Sequence, residues 1–421
     1  MMAIYRAATT IAAPLMPWWL ARRRAQGKED PQRMRERLGY ASLTRPKGRV
    51  FWIHAASVGE ANAALPLIET LRTRYPHVQL LLTTGTVTSA RLMEKRLPPG
   101  VLHQFAPIDT PAAAARFIAH WQPELGIWVE SELWPNLVLE VRASGCVLAL
   151  VNARMSARSA QRWRFAPGLI RRMLACFSFI AAQSEGDAAR FRTWAVHTAV
   201  LGNMKYDAPP LVCDENELAA LRESIGVRPV WLVASTHPGE EELIAAAHAK
   251  LKMHYTDILT LIVPRHPVRG PQVAAALGGF SVARRAGGEH LSKDTELYIA
   301  DTLGELGLFY RVCPLVLMGG SLVEHGGQNP FEAARLGCAV LAGPHMENFL
   351  EMVRAMQDAA AVERIETGDI AHAVARLLAA PQEIAQRGAR AKQWAEGQGG
   401  ATARIAEALA MLVNREAAHA A

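Results

Sequence analysis

The sequence has few cysteines and no closely spaced pair of them. Its five cysteines are scattered along 421 residues, and none belongs to a C-x-x-C motif. A disulfide framework needs paired cysteines in an oxidising compartment, and a cysteine-based zinc site needs close pairs. The pattern therefore argues against a disulfide-rich secreted domain and against a zinc site, and it favours a reducing compartment.

Common nucleotide-binding and metal-binding signatures are also missing. The chain has no G-x-x-x-x-G-K, no G-x-G-x-x-G and no D-x-D motif. The first two motifs would indicate a P-loop or a dinucleotide-binding site. Since no acidic metal-binding motif is present either, we expect neither a metal nor another cofactor.

Positive charge is in excess only near the N-terminus. Residues 1–50 contain 11 Lys and Arg against three Asp and Glu, whereas the remaining chain contains 35 against 36. A nucleic-acid-binding protein usually carries its basic patch on the folded domain, with a recognisable motif. Neither feature is found, so we expect no nucleic-acid partner.

The apolar segment at the N-terminus is too short for a clear membrane span. Ala7–Leu20 is uncharged, contains two prolines, ends beside two tryptophans and is followed by three arginines at 22–24. Tryptophan next to arginine is typical of a membrane interface, but a spanning helix needs about 20 apolar residues. We predict a short membrane anchor or interfacial helix within residues 1–30. The alternative is an amphipathic helix packed on the protein.

From residue 50 onward, apolar runs alternate with helical segments. This rhythm predicts βαβ units and parallel, doubly wound sheets. It breaks at Tyr206–Pro210, and the chain length favours two domains. We therefore predict domains at 31–207 and 208–421 that face each other across a cleft. The predicted strands are 50–53, 78–83, 101–105, 125–129, 146–151, 179–182, 230–234, 258–263, 297–300, 315–318 and 339–341.

The most informative segment is Phe51–Glu60, with the sequence FWIHAASVGE. It predicts a buried strand, a turn at Ser57 and Gly59, and a helix from Glu60 to Tyr75. Open α/β folds bind ligands at the carboxyl edge of the sheet, where a glutamate can act as a base. The alternative is that Glu60 only stabilises the start of a helix through the helix dipole.

Further charged groups in the first half follow strand ends. Glu130 comes after the strand at 125–129, so two carboxylates at one edge can divide base and orienting roles. We interpret Glu132 as a cap of the next helix. Residues 153–172 contain six arginines and no acid, which suits either phosphate recognition or a solvated helix face. Lys205 closes this half, and we expect it to project into the cleft.

The second half has three polar segments, each following a predicted strand. Ser235–Glu241 opens a helix, and its hydroxyl and N–H groups are suited to hold a phosphate. Pro264–Pro267 places an arginine at the same edge of the sheet. A glycine-rich loop at 319–329 precedes a helix predicted to begin at Pro330. Together these segments predict a nucleotide site.

These segments closely resemble the transferases of 3-deoxy-D-manno-octulosonic acid (Kdo) that act in lipid A assembly in Gram-negative bacteria. The resemblance covers about residues 1–350, including the N-terminal segment. It lies in the combination of HAASVGE (54–60), VESELWPN (129–136), NARMSARS (152–159), GNMK (202–205), STHPGEE (235–241), PRHP (264–267) and GGSLVEHGGQNPFE (319–332).

The resemblance implies a GT-B glycosyltransferase with two Rossmann-like domains and a short membrane-associated helix. It also implies that the last helices cross back to the first domain. It implies transfer of Kdo from CMP-Kdo to a lipid A precursor, inverting and metal-independent, at the cytoplasmic face of the inner membrane. Glu60 would be the general base, and Glu130 and Lys205 would stabilise the transition state. The residues implied to bind CMP are Arg265, His266, Leu303, Gly304, Glu305, Asn329, Pro330, Phe331 and Glu332.

Two other classes of protein stay open at this stage. One is another two-domain sugar-nucleotide enzyme, such as a heptosyltransferase or a soluble epimerase, and the N-terminal segment argues against the epimerase. The other is a basic nucleic-acid-binding protein or membrane scaffold, which the near-neutral charge of the remaining chain disfavours.

Overall fold

The computed structural model describes residues 1–194 and 197–420. They form two compact units. Unit 1 comprises Met1–Ala208 together with the chain from Gln398 onward, and unit 2 is Pro209–Gly397. Each unit is built around its own seven-stranded sheet, in which every strand pair is parallel.

The sheet of unit 1 has the order β3-β2-β1-β4-β5-β6-β7. The order reverses between β1 and β4, and the carboxyl ends of such a strand pair form the crevice where open α/β folds bind ligands. The strands are β1 (Val50–His54), β2 (Gln79–Thr84), β3 (Leu102–Phe105), β4 (Leu125–Val129), β5 (Val147–Ala153), β6 (Phe179–Ala182) and β7 (Ala199–Val200).

Helices cover both faces of this sheet. Neighbouring residues of a strand point to opposite faces, and in this sheet the residues on both faces are apolar. In β1, Val50 and Trp52 pack into one buried cluster, whereas Phe51 and Ile53 pack into a second one. The helices are α1 (Met2–Ala12), α2 (Met16–Ala25), α3 (Val58–Arg74), α4 (Val87–Arg96), α5 (Pro111–Trp121), α6 (Pro135–Ala143), α7 (Ala157–Trp163), α8 (Pro167–Leu174), α9 (Glu185–Arg192) and the last helix of the chain, Ala401–Ala420.

The sheet of unit 2 has the order β10-β11-β9-β8-β12-β13-β14 and reverses between β8 and β12. Its strands are β8 (Val230–Thr236), β9 (Leu259–Pro264), β10 (Val282–Arg284), β11 (Leu297–Ile299), β12 (Leu315–Met318), β13 (Ala339–Ala342) and β14 (Val362–Arg364). Its helices are α10 (Glu215–Ile225), α11 (Glu241–Lys252), α12 (Gly270–Ala276), α13 (Leu306–Val312), α14 (Phe331–Arg335), α15 (Leu350–Asp358), α16 (Ile370–Leu378) and α17 (Pro381–Gly397).

The α/β class and the parallel sheets predicted from the sequence are confirmed. Every predicted strand is present, with ends that differ by at most two residues. Three strands of two or three residues, β7, β10 and β14, were not predicted. They lie toward the sheet edges and lack the apolar run on which the prediction depended.

The start of α3 differs from the prediction. Ser57 is the N-cap and the helix begins at Val58, so Gly59 lies inside the first turn of the helix and not in the preceding loop. The prediction that Gly59 belongs to the turn and that the helix begins at Glu60 is therefore wrong. Glu60 lies at the third helical position, where its side chain reaches back to the cap.

The N-terminal segment forms two short helices, α1 and α2, joined by a 3₁₀ turn at Ala13–Leu15. The Tyr5 hydroxyl donates to Asp109 Oδ2 at 2.8 Å, and Leu20 is fully buried beside Ile108. Both contacts hold the N-terminal segment against the rest of unit 1. Within the described ranges, no helix has the length and apolar character needed to cross a membrane.

The last helix, α18 (Ala401–Ala420), packs on unit 1. Ile405 and Leu409 belong to the same buried cluster as Leu67 of α3. The Asp207 carboxylate accepts hydrogen bonds at 2.6 Å from the backbone N–H groups of Gly400 and Thr402, at the start of this helix.

Candidate active site

Glu60 lies at the carboxyl end of β1, at the point where the strand order of unit 1 reverses. Its carboxylate accepts hydrogen bonds through Oε2 from the backbone N–H groups of Ala56 (2.6 Å) and Ser57 (3.2 Å). In return, the Ser57 hydroxyl accepts from the Glu60 N–H at 3.2 Å. This capping box fixes the carboxyl group and, within the described part of the chain, leaves Oε1 without a hydrogen bond.

The environment of Glu60 suits proton transfer near neutral pH. Burial is the largest cause that raises its pKa, to about 7, and the negative charge of Glu130 adds to the shift. The hydrogen bonds from Ser57 and Ala56 act in the opposite direction and lower it. A carboxyl group with a pKa close to the working pH is well matched to a general base.

Glu130 follows β4, the neighbour of β1 at the reversal point, and forms an ion pair with Lys205. The distance from Lys205 Nζ to Glu130 Oε1 is 2.5 Å, and the carboxylate is buried whereas the lysine is partly exposed. Glu130 has a left-handed backbone with φ of 65°, a conformation that costs energy for a residue with a side chain. The structure therefore groups Glu60, Glu130 and Lys205 in unit 1.

Asn152 joins the segments that carry Glu130 and Lys205. It is fully buried at the end of β5, and its Oδ1 accepts from the Met204 N–H at 2.9 Å. Its Nδ2 lies 3.5 Å from Glu130 Oε1, a long hydrogen bond. The Lys205 N–H donates in turn to Asn203 Oδ1 at 3.0 Å. These contacts position both members of the ion pair.

Glu132 does not cap the next helix, contrary to the prediction. The N-cap of α6 is Trp134, without a side-chain hydrogen bond to the helix. The free N–H groups of Asn136 and Leu137 are capped instead by the Asp109 carboxylate, at 3.2 and 2.9 Å. Asp109 is distant in sequence, so no local pattern identifies it.

The six arginines of residues 153–172 are all exposed to solvent. They lie on α7, on α8 and in the loops before and between these helices. In the part of the chain that the structure describes, none of them pairs with an acidic side chain. The exposed positions are Arg154, Arg158, Arg162, Arg164, Arg171 and Arg172.

In unit 2, the loops after β8 and β12 meet around the buried carboxylate of Glu240. Its Oε2 accepts from the N–H groups of His237 (2.8 Å) and Gly320 (2.6 Å), and its Oε1 accepts from Leu322 (3.0 Å). The two loops approach closely at Gly319, where an added Cβ would lie 2.3 Å from the Ser235 carbonyl oxygen. Glu240 therefore holds the two loops at the reversal point in a fixed arrangement.

The sequence-based interpretation of Ser235–Glu241 as a phosphate site is corrected by these contacts. The His237 N–H already donates to Glu240, and the Thr236 hydroxyl donates to Glu241 Oε1 at 2.8 Å. Glu241 also forms an ion pair with Arg269 at 3.0 Å. The segment thus supports the loops around it, and two of its donors, the Thr236 hydroxyl and the His237 N–H, are occupied within the protein.

We expect Glu240→Gln to destabilise unit 2. One carboxylate oxygen becomes an NH₂ group that faces a backbone N–H, so at least one buried donor loses its acceptor, at a cost of about 1–3 kcal/mol. Chemical denaturation of the wild type and the variant measures this difference. Glu242→Gln, an exposed neighbour on α11, is the matched control and should leave the stability unchanged. An unchanged midpoint for Glu240→Gln would contradict this role.

Arg265 and His266 follow β9 at the same edge of the sheet. Both are exposed, and the Arg265 N–H donates to the Thr236 carbonyl at 3.0 Å. The His266 ring lies 6.3 Å from the His237 ring, measured between centroids. Arg265 also lowers the pKa of Glu332, which burial raises, so these two predicted site residues influence each other electrostatically.

The segment Asn329–Glu332 lies at the start of α14, which begins at Phe331 and has Pro330 as its N-cap. Asn329 Oδ1 accepts from the Phe331 N–H at 3.0 Å. The Phe331 ring is buried, with its centroid 6.1 Å from that of Trp394 in α17. Asn329 and Glu332 therefore offer side-chain polar groups, whereas the Phe331 side chain belongs to the core.

Leu303, Gly304 and Glu305 form the loop between β11 and α13. Leu303 is 87% exposed, and Gly304 has φ of 87°, a conformation that favours glycine. The Glu305 carboxylate accepts from Arg285 Nε and Nη2, both at 2.6 Å, and this guanidinium lowers its pKa. β11 is next to β9, so the loop lies at the same edge as Arg265, but its carboxylate is paired with Arg285.

A histidine cluster in unit 2 was not identified from the sequence. The His237 ring stacks on His325 with centroids 3.6 Å apart, and its Nε2 lies 2.9 Å from Gln328 Nε2. Burial, followed by the charge of His325, lowers the pKa of His237 to about 4. His237 and His325 are far apart in sequence, so only the fold reveals the cluster. Among the described residues, no group of three or more His, Cys, Asp and Glu side chains is arranged to hold a metal ion.

The chain is similar in sequence to one enzyme family. The family model described as 3-deoxy-D-manno-octulosonic-acid transferase matches residues 32–208. A probable mitochondrial 3-deoxy-D-manno-octulosonic acid transferase of Arabidopsis thaliana is 39% identical, with 90% of this chain and 88% of that protein covered. The 3-deoxy-D-manno-octulosonic acid transferase of Haemophilus influenzae is 35% identical, with 89% of each chain covered.

A more distant likeness concerns the fold. The crystal structure of UDP-GlcNAc 2-epimerase from Neisseria meningitidis bound to UDP-GlcNAc matches with a TM-score of 0.61. The match covers 86% of this chain and 100% of that one, at 15% sequence identity. At this identity the likeness supports the α/β fold alone.

Proposed function

Because the chain belongs to the 3-deoxy-D-manno-octulosonic acid transferase family, we propose that it transfers Kdo from CMP-Kdo to a hydroxyl group of a lipid A precursor. Kdo transferase relatives match about nine-tenths of the chain, and the protein is accordingly a glycosyltransferase. The observation that carries the proposed mechanism is the buried carboxyl group of Glu60, with its pKa raised to about 7, at the strand-order reversal of unit 1.

Glu60 acts as the general base in this proposal. The acceptor hydroxyl oxygen forms a bond to C2 of Kdo while the bond from C2 to the CMP phosphate oxygen breaks, and CMP leaves with that electron pair. The hydroxyl proton passes to Glu60 Oε1, because Oε2 is held by the N–H groups of Ala56 and Ser57. Attack from the face opposite CMP inverts the configuration at C2.

Lys205 and Glu130 act as a pair next to this base. Lys205 supplies a positive charge that stabilises negative charge as the bond to CMP breaks. Glu130 holds the ammonium group at 2.5 Å and keeps it in one position. Charged groups that are held in position before the reaction need little rearrangement in the transition state. The buried Glu130 carboxylate holds the Lys205 ammonium group in position in this way.

Unit 2 binds the CMP part of the donor. Arg265 is an exposed cation at the sheet edge and contacts the phosphate. Asn329 and Glu332 provide polar side-chain groups for the ribose hydroxyls. His266 and the loop Leu303–Glu305 lie at the same edge and form other parts of the site, with Pro330 and Phe331 fixing the backbone of its glycine-rich loop.

The exposed arginines of residues 153–172 contact phosphate groups of the lipid A precursor. Their planar guanidinium groups suit bidentate contacts with phosphate oxygens. Because no acidic side chain in the described part of the chain neutralises them, their charge is available to a ligand. For these arginines we therefore favour phosphate recognition over a merely solvated helix face.

The N-terminal helices rest on the cytoplasmic face of the inner membrane. Ile4, Ile11, Leu15 and Trp18 follow one another at helical spacing, and each is more than 60% exposed. Three arginines of α2 follow directly, at 22–24. An exposed apolar strip beside a basic cluster suits an interfacial helix that binds anionic lipid.

Replacing Ile4, Ile11, Leu15 and Trp18 by glutamine should release much of the protein from membranes. Each exposed apolar side chain that enters a membrane interface contributes to binding in proportion to its buried area. Flotation with vesicles of anionic phospholipid measures the bound fraction, and binding of CMP is the control for the fold. Unchanged flotation of the variant would contradict the interfacial role of this strip.

The transfer itself is tested with purified protein, CMP-Kdo and a tetraacylated lipid A precursor. Mass spectrometry should detect the acceptor with one or more added Kdo residues and free CMP. Thermal shifts with CMP, UDP and ADP provide a second readout, because only the nucleotide that matches the donor site should stabilise the protein strongly. Stabilisation by ADP alone, without Kdo transfer, would instead favour a heptosyltransferase.

A further inference from the structure

A cavity of about 430 Å³ in unit 1, called here the N-terminal cavity, lies between the N-terminal helices and the loops after β1, β2 and β3. Its volume falls within the range of about 300–1,000 Å³ that is usual for small-molecule sites. It is lined by Tyr5, Thr9, Ala12, Met16, Trp19, Arg37, His54, Ala56, Ser57, Gly85, Thr86, Ala106, Pro107, Ile108, Asp109, Thr110, Glu132 and Trp134.

One face of the N-terminal helices forms a wall of this cavity. Tyr5, Thr9, Ala12 and Met16 recur at intervals of three and four residues and all line it. The exposed apolar strip that begins at Ile4 follows the adjacent face of the same helices. A molecule that is embedded in a membrane under the strip thus has a short path to the cavity.

The surface of the cavity is largely apolar because most of its polar side chains are paired within the protein. The Tyr5 hydroxyl donates to Asp109, whose carboxylate also caps α6. Arg37 pairs with Glu29 at 3.4 Å and donates to the Ala106 carbonyl. A sugar or a nucleotide needs many hydrogen-bonding partners, so this lining disfavours both of them as occupants.

Two lining residues, Arg37 and His54, each have a buried nitrogen atom without a hydrogen-bond partner among the described residues. The His54 side chain is 1% exposed, and in the described part of the chain its Nε2 has no hydrogen-bond partner. Trp52 Nε1 donates to Thr83 Oγ1 at 2.8 Å, and Thr83 Oγ1 lies 3.0 Å from His54 Nδ1. A threonine hydroxyl can accept two hydrogen bonds and donate one, so Thr83 can pair with Nδ1 in either tautomer of the neutral ring.

An unpaired polar atom buried in a protein costs free energy, and such atoms are rare in folded proteins. Burial lowers the pKa of His54 to about 3, so the ring stays neutral. The cavity therefore offers its occupant a largely apolar surface without a charge at His54.

The cavity is next to the loop that holds the candidate base. Ala56 and Ser57 line it, and their N–H groups bind the Glu60 carboxylate. Glu132 and Trp134, which follow Glu130 in the chain, line another side. An occupant of the cavity therefore contacts both loops that carry the candidate catalytic carboxylates.

We propose that the N-terminal cavity binds one hydrocarbon chain of the lipid acceptor. This inference rests on the proposed transfer to a lipid. It adds a chain-binding subsite that anchors the acceptor beside the loop of Glu60 and makes the enzyme sensitive to the length of the acyl chain.

The first test is direct binding of saturated fatty acids by isothermal titration, below the concentrations at which they form micelles. Affinity should rise from octanoate to dodecanoate, by at most about fourfold for each added methylene group, because each one leaves water for an apolar wall. An affinity independent of chain length would overturn the proposal. This measurement uses the unaltered protein and does not depend on the folding of a variant.

The second test fills the cavity. Ala12→Trp places a large side chain on the face of the helix that lines it. Ala3→Trp adds the same volume at an exposed position of the same helix that belongs neither to the cavity nor to the strip, and it is the matched control. We expect Ala12→Trp to weaken dodecanoate binding at least tenfold and to raise the KM for the tetraacylated acceptor by a similar factor. The KM for CMP-Kdo should stay unchanged in both variants.

The outcomes separate this proposal from the proposed function. Wild-type dodecanoate affinity and wild-type acceptor KM in Ala12→Trp would overturn the chain-binding role while leaving Kdo transfer standing. If the wild type binds dodecanoate and Ala12→Trp does not, but no Kdo is transferred by either, the cavity binds a hydrocarbon chain and the transfer reaction is the part that fails.

Discussion

Glu60→Gln is expected to lower the rate of Kdo transfer by about 10²- to 10⁴-fold, the range typical of a lost general acid or base. The amide cannot take the acceptor proton, but its carbonyl oxygen can still accept from the N–H groups of Ala56 and Ser57. The fold and CMP binding should therefore persist. Single-turnover transfer at saturating acceptor measures the chemical step most directly.

Glu69→Gln is the matched control for this variant. Glu69 lies on the same helix, α3, but it is exposed and pairs with Arg72 one turn away. Its replacement should leave transfer unchanged, since surface ion pairs contribute little to stability. A Glu60→Gln variant that turns over as fast as Glu69→Gln would remove Glu60 from the role of base.

Stability at different pH values distinguishes the raised pKa of Glu60 from simple helix capping. The folded protein holds this proton up to a pKa of about 7, compared with 4.5 for an unperturbed glutamate. The folded state thus binds more protons between these values, and the wild type loses stability, on the order of 3 kcal/mol, as the pH rises through this window. Glu60→Gln should lack this loss, as measured by denaturation at pH 5 and pH 8.

Lys205→Met should lower transfer by about 10²- to 10³-fold, comparable to the loss of one electrostatic donor to a developing charge. Methionine preserves the length and most of the apolar part of the side chain but removes the ammonium group that lies 2.5 Å from Glu130. The KM for CMP-Kdo should change much less than kcat, because the charge acts mainly as the bond to CMP breaks.

This variant also leaves the buried Glu130 carboxylate without its cation, which lowers stability. The double variant Lys205→Met with Glu130→Gln removes both charges and separates the two effects. We expect the double variant to regain stability relative to Lys205→Met while transfer stays low. Recovery of transfer together with stability would mean that Lys205 serves only to neutralise Glu130.

The sequence was sufficient to locate Glu60 and Glu130 because each follows a buried apolar run. Parallel strands end at the same edge of a sheet, so two carboxylates after β1 and β4 were predicted to lie together. The details of the turn were not predictable in this way. Gly59 is compatible with a loop or with a helix, and the capping box between Ser57 and Glu60 placed it inside α3.

Contacts between distant segments lay outside what the sequence could indicate. Asp109 caps α6 and binds Tyr5, which is 104 residues away. The Thr83 hydroxyl contacts both Trp52 Nε1 and His54 Nδ1 because the fold pairs strands β1 and β2. Such groups have no local pattern, because their partners are brought together by the fold.

In unit 2 the sequence correctly identified the edge of the sheet where the polar segments meet. It did not indicate that carboxylates of the protein already accept hydrogen bonds from some of the donors there. Ser235–Glu241 was interpreted as a phosphate site from its hydroxyl and N–H groups. Buried Glu240 accepts the N–H groups of both loops instead, so the segment supports the site. A carboxylate binds the same N–H groups as a phosphate does. A glutamate inside a glycine-rich segment can therefore occupy the donors that would otherwise form a phosphate site.

The pH dependence of kcat/KM for Kdo transfer tests the central claim, that a buried carboxyl group with a raised pKa takes the acceptor proton. Burial raises the pKa of Glu60 to about 7, and the base is active only when it has lost its proton. We expect a wild-type rate that rises tenfold per pH unit below about pH 7 and then levels off, and we expect no such rise in Glu60→Gln. A wild-type rate that does not change between pH 5 and pH 9, or the same rise with pH in Glu60→Gln, would contradict the role of Glu60 as the base.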